Sequence, residues 1–148
     1  MEKIKWILKH KWLFWLIQLT WGLPMNIIGA IGYLACRLKL GTRYGRFGND
    51  FYVVIGHNWG GCSLGCFFFT SEEDFDYCKQ HEHGHSIQNL WWGFLFPFVI
   101  GIPSGIRYQY FNWNTRHGKP NKPYDSIWFE CQATKLGKTF IDEEGEIK

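Results

Sequence analysis

Charge is missing from two long stretches of this 148-residue chain: Trp12 to Cys36 and Ser86 to Ile106 contain no Asp, Glu, Lys or Arg. That gap excludes an ordinary solvated helix over either stretch and points to lipid or a buried interior. Charged residues make up only 20% of the chain and aromatic residues match them at 20%, an aromatic load that suggests lipid-facing surface. A mean hydropathy of −0.22 nevertheless excludes a bundle lying wholly in the bilayer, so polar residues must gather in particular segments. The five cysteines (Cys36, Cys62, Cys66, Cys78, Cys131) are odd in number and irregular in spacing. They exclude the disulfide framework of a short secreted domain and read as free thiols in a reducing compartment. Cys62 and Cys66 lack the second pair that a structural metal site would need. Lys and Arg lie near the ends of the hydrophobic stretches without aromatic interleaving, so nucleic acid is not an expected partner. No internal repeat is present, and at this length a single core must carry everything.

Four lysines, Lys3, Lys5, Lys9 and Lys11, precede the first uncharged stretch. As one helix Trp12–Cys36 would reach about 37 Å, enough to cross a hydrocarbon core of about 30 Å with some tilt. Trp6, Trp12 and Trp15 stand where an interfacial belt would lie. Residues 1–40 are therefore expected to form a retained N-terminal membrane anchor, a transmembrane helix rather than a cleaved signal peptide, with a kink or break near Gly22 and Pro24. Arg37, Lys39, Arg43 and Arg46 follow it, so charge does not orient the span. The free cysteines favour a cytosolic face for the polar part.

Residues 41–148 are expected to hold the working domain, including the hydrophobic segment 86–106. From Gly41 to Thr70, short runs separated by Gly and Asn predict a small antiparallel sheet, with turns at Gly48-Asn49-Asp50 and Asn58-Trp59-Gly60-Gly61. Ser71 followed by Glu72, Glu73 and Asp74 predicts the start of a helix that runs through His81 to about Asn89. Gly93, Pro97, Gly101 and Pro103 interrupt the second uncharged stretch, which predicts a broken re-entrant or transmembrane segment. Arg107 to Pro123 reads as a surface loop, Tyr124 to Gly137 as a last helix ended by Gly137, and the acidic tail as frayed. The fold class is thus α+β.

His81-Glu82-His83-Gly84-His85 carries the chemistry. On a helix, residues four apart share a face, so His81 and His85 can bind one metal ion, and Glu82 beside them can act as the base for a water that zinc acidifies. Catalytic zinc needs a third protein ligand and an open position. Glu130, the carboxylate in the middle of the last helix among apolar neighbours, is the candidate, because a buried carboxylate wants a cation. His83 lies about 200° round the helix from His81 and is read as solvated or hydrogen-bonded. His10, His57 and His117 are isolated. Gly84 inside a helix costs up to about 1 kcal/mol relative to Ala and calls for close approach of a strand or partner helix.

Taken in order, WGGCSLG, HEHGHSIQ, GIPS and FECQATKLG resemble the motifs of small bacterial membrane-associated zincin-like proteins with HExxH helices, of the gluzincin type. The resemblance spans Trp59 to Gly137. It implies a zincin-type active-site helix and zinc held by His81, His85 and Glu130, with Glu82 as catalytic base. It also implies a peptide or protein substrate paired along Leu64–Phe69, membrane lipid as a partner, and a bacterial inner membrane as the location. Where the pattern places Asp four residues after the ligand Glu, this chain has Thr134, which could accept the same hydrogen bond from a histidine ligand. That departure keeps a second reading open, a non-catalytic membrane interaction protein in which zinc staples two helices. Tyr108, Tyr110, Tyr124, His117 and Arg107 are unranked candidates for stabilising a developing oxyanion.

Overall fold

Pro24 has no backbone N–H to give and Gly22 tolerates a sharp turn, so the first uncharged stretch does not run as one rod. In the computed structural model, which describes residues 1–39 and 42–148, it forms α2 (Lys11–Thr20) and α3 (Leu23–Arg37), bent by 101° at Trp21–Gly22. A short α1 (Glu2–Lys9) precedes them. Among the described residues no single helix is long and apolar enough to cross a membrane, which corrects the expected transmembrane helix over Trp12–Cys36. The expected boundary between residues 40 and 41, and the start of the strand region at Gly41, lie outside the described residues.

Four strands follow: β1 (Arg43–Phe47), β2 (Asp50–Val54), β3 (Gly61–Leu64) and β4 (Phe67–Thr70), in the spatial order β1-β2-β4-β3. The β1–β2 and β3–β4 pairs are antiparallel hairpins, but β2 and β4 run parallel, with Phe51 opposite Phe67 and Val54 opposite Thr70. The sheet is mixed, where a purely antiparallel meander was expected. The apolar content of the strands explains the difference. Phe68, Phe69 and Thr70 of β4 are buried whereas Gly61-Cys62-Ser63 of β3 are not, so β4 takes the interior place and β3 the edge. The segment between β2 and β3 swings outside β4 through left-handed residues Gly56, Asn58 and Gly60. Val53 and Phe69 pack with Tyr33 of α3 on one face, while Val54 and Phe68 pack with Phe47, Phe75 and Ile141 on the other.

Three more long helices complete the chain: α4 (Phe75–Trp92), α5 (Ile102–Arg116) and α6 (Trp128–Phe140). Gly93, in the left-handed region at φ 47°, and Pro97 end α4 and lead through a 3-10 turn and one wide turn into α5, with a bend of 117°. The second uncharged stretch is therefore broken, as its Gly and Pro content predicts. Arg107–Arg116, expected in a surface loop, instead extends α5, since Gly118 and Pro120 act only beyond it. Gly137 does not end the last helix, which continues to Phe140. The tail is not frayed, because Ile141 is fully buried and pairs with Ile147 while the Asp142 carboxylate accepts the Glu144 and Glu146 amides.

A buried cluster of amides ties the first helices to α4. Gln18 Nε2 donates to the Ser86 carbonyl at 2.9 Å and Asn89 Nδ2 to Gln18 Oε1 at 2.6 Å. Asn26 Nδ2 donates to the Gln18 and Gly22 carbonyls, and its Oδ1 accepts the Cys66 amide at 2.7 Å. In so dry a setting each partner is needed, since an orphaned buried polar group costs about 1–3 kcal/mol.

Candidate metal centre

The start of α4 is fixed by Asp74, whose carboxylate accepts the Gly60 amide at 2.9 Å and the Ser71 hydroxyl. That carboxylate anchors the entry to β3, and the helix begins at Phe75 instead of directly after Ser71. From there α4 crosses α6 at unusually close range. A Cβ on Gly84 would run into the Ala133 carbonyl, and one on Gly137 would run into the Gln80 carbonyl. The two glycines are thus reciprocal: each helix offers bare backbone where the other presents a carbonyl. Gly84 meets the partner helix, one of the two causes its position called for.

This crossing brings His81, His85 and Glu130 to one point. The Nε2 atoms of His81 and His85 lie 3.1 Å apart, and Glu130 Oε2 is 3.0 Å from His81 Nε2 and 3.2 Å from His85 Nε2. The three donor atoms meet the geometric requirement for holding a metal ion. Tetrahedral coordination with bonds of about 2.0 Å separates ligand atoms by about 3.3 Å, close to the observed triangle. The chemistry of the donors fits as well. Gln88 Oε1 lies 2.7 Å from His85 Nδ1 and can only accept, so that nitrogen carries the proton. Thr134 Oγ1, 2.9 Å from His81 Nδ1, is placed to accept likewise. With Nδ1 so engaged, each ring aims its Nε2 at the centre, and the short approach of the two Nε2 atoms forbids protons on both. A proton or a metal ion among the three atoms offsets their mutual repulsion, and a metal ion would engage all three at once.

Glu130 is fully buried and His85 is 5% exposed, while the His81 side chain, at 18%, marks the open side. Burial pushes the Glu130 carboxyl up, but the contacts with His81 and His85 outweigh it and hold the group well below the usual carboxylate range, hence ionised. Ser104 Oγ donates to its other oxygen at 2.5 Å. Glu82 is buried against β3, where a Cβ on Gly61 would collide with its carboxylate. Its Oε2 has no hydrogen-bond partner among the described residues. Burial raises the Glu82 carboxyl, His81 and His85 draw it down, and Glu130 adds a smaller rise; the net direction is upward.

Sequence reasoning named the three convergent residues and their neighbour Glu82, but it missed Gln88 and Ser104. Gln88 could have been found, since it stands three residues after His85 on the same face, and its Nε2 is pinned by the Phe129 carbonyl at 2.8 Å. Ser104 arrives from α5 as the last residue of the GIPS motif, to which the sequence assigned no role. His83 points away from the triad and holds Asp50 of β2 at 2.6 Å, both fully buried, the hydrogen-bonded role its position suggested. All five cysteines are free thiols and none joins the triad. Of the oxyanion candidates, Tyr108 donates to the Trp59 carbonyl, Arg107 to Lys122 and Pro123, and His117 bonds the Trp113 carbonyl. Tyr110 is exposed. Tyr124 lies within electrostatic reach of Glu130 and Glu82, and its phenol is raised by burial first and by Glu130 second. Comparisons with protein-family models, curated proteins and solved structures gave no match.

Thr134→Val keeps the volume and removes the acceptor for His81. It is expected to weaken binding of a metal ion at this site by about 10–100-fold with little change in circular dichroism, read by competition with a chromophoric chelator. Thr134→Asp is expected to shift affinity the other way.

Proposed function

We propose that the chain is a zinc metallopeptidase acting at a membrane, of the gluzincin type, with His81, His85 and Glu130 as ligands and Glu82 as base. The observation that carries the reading is the convergence of three lone-pair atoms within 3.0–3.2 Å, with both outer ring nitrogens already engaged. A zinc ion held there would supply Lewis acidity, acidifying a water and polarising a peptide carbonyl. Glu82 then takes the water proton on its unpartnered oxygen and hands it to the leaving amine. The resemblance pointed to Leu64–Phe69 as the substrate strand, but β4 is paired on both sides and has no free edge. In this reading an extended peptide pairs with the outer edge of β3, next to Glu82. The exposed apolar surface of α2, α3 and α5 supports a membrane setting, for which we propose a bacterial inner membrane with the site on the cytoplasmic face.

Elemental analysis of the detergent-purified chain is expected to give about one zinc per chain. Cleavage of a broad peptide library should stop on chelation and return with zinc, and His85→Ala should lose metal and cleavage together. One zinc without cleavage of any peptide would move the chain to the non-catalytic zinc-stapled interaction protein. No zinc would sink both readings.

A further inference from the structure

The two bent helix pairs share an apex. The Trp21 and Phe94 rings meet edge to face at 5.3 Å, Trp21 Nε1 donates to the Trp91 carbonyl, and Gly93 has no room for a side chain against Trp21. Four helices therefore have one end at a single apolar tip, where Leu19, Phe94 and Leu95 are each about half exposed. From this tip the outer faces of three arms stay apolar and open: Trp12 and Leu16 on α2, Ile31 and Leu34 on α3, Ile102 and Ile106 on α5. Each apolar arm then ends on a cation, Lys11 for α2, Arg37 for α3 and Arg107 within α5.

The bend angles turn these positions into depths. A V bent by 101° and seated symmetrically about a membrane normal inclines each arm about 40° from it, and one bent by 117° about 32°. At a rise of about 1.5 Å per residue, Lys11 then stands about 11 Å above the tip, Arg37 about 16 Å and Arg107 about 13 Å. The first cation on each of three arms thus stands at a similar level, about 11–16 Å above the tip. That level matches the hydrocarbon depth of one leaflet, about 15 Å, and not the about 30 Å of a bilayer. Cations at the rim suit the headgroups of anionic phospholipids.

We infer that the two bent pairs seat the chain in a single leaflet of an anionic phospholipid bilayer, tip inward and without crossing it. Resting on the peptidase reading above, the metal site then acts on the stretch of a membrane-anchored protein that emerges at the headgroups. His85 and Glu82 lie ten and thirteen residues before Leu95, where this arm of the bent pair ends, hence about 13 and 17 Å above the tip on the same geometry. That height is the base of the headgroup layer. A peptide bond held there is one within a few residues of its own anchor.

The test of seating uses the native full-length chain, reconstituted into sealed vesicles of phosphatidylcholine with phosphatidylglycerol and treated from outside with a membrane-impermeant amine reagent. Single-leaflet seating gives molecules modified at Lys11, Lys39 and Lys122 together, or at none, according to the leaflet they occupy. A crossing gives molecules modified at Lys11 or at Lys39 but not at both, and overturns the inference. Retention on these vesicles should exceed that on phosphatidylcholine alone by about tenfold and fall with salt. No retention, with the chain instead forming a closed dimer through these faces, overturns it too.

The substrate class is tested in the same vesicles, with one cleavage sequence offered as a free peptide and at increasing distances from a hydrophobic anchor. Cleavage is expected at least about tenfold faster when the bond lies within about five extended residues of the anchor, a reach of about 15 Å. Equal or faster cleavage of the free peptide overturns the assignment. One-sided labelling with neither form cleaved would bring down the peptidase and leave the seating standing, because the lysine readout does not depend on zinc.

Discussion

Glu82→Gln is expected to retain about one zinc per chain and to slow peptide cleavage by about 10²–10⁴-fold, the usual worth of a positioned general base. The substitution is nearly isosteric, so the packing against Gly61 survives. Glu82 Oε2 makes no hydrogen bond among the described residues, so the scaffold loses no observed contact at that atom. What disappears is the ability to accept a proton beside the triad. Metal content and turnover should therefore separate, which no variant at His81, His85 or Glu130 can achieve. Turnover by Glu82→Gln at the wild-type rate would remove Glu82 from the mechanism.

Gly84→Ala should be among the most damaging single methyls in the chain, on a par with its reciprocal partner Gly137→Ala. The new Cβ would overlap the Ala133 carbonyl, and a backbone oxygen in the middle of α6 has no rotamer to escape into. Overpacking a core ordinarily costs about 1–3 kcal/mol and more where backbone must shift, against a total stability of about 5–15 kcal/mol. A loss of about 10 °C in Tm is expected, together with zinc affinity, because separating α4 from α6 carries Glu130 away from the histidines. Gly105→Ala is the matched control. It too lies inside a helix, but its Cβ would meet nothing within 4 Å, so helix propensity alone should make it neutral or stabilising by up to about 1 kcal/mol. Equal Tm values for the two variants would show that the α4–α6 crossing is not set by glycine contact.

The histidine pair was legible because its geometry is local: four residues on a helix define one face whatever surrounds them. Glu130 was legible for a different reason, as a carboxylate among Trp128, Phe129 and Ala133 that needed a cation. The strands were visible as segments, but their order was not. Turn residues at Asn58–Gly61 suit a hairpin and a crossover equally, and the choice fell to the competition between β3 and β4 for the interior. The end of α5 was misread because Arg107, Asn112 and Asn114 look like loop residues when their neighbours are unknown. Asn114 is in fact buried and its side chain donates to Asn121. The first uncharged stretch was half legible: Gly22 and Pro24 signalled a break, but the size of the bend, 101°, goes with the packing of Gly22 against Asn89 of α4.

The amide cluster of Gln18, Asn26 and Asn89 bears on how the protein can be handled. A fragment beginning after the first three helices would leave Asn89 and the carbonyl of Ser86, the residue beside ligand His85, without the partners they have in the intact chain. Trimming the greasy N-terminus to ease purification would therefore disturb the candidate metal centre itself, and crystallisation trials are better spent with all three N-terminal helices retained.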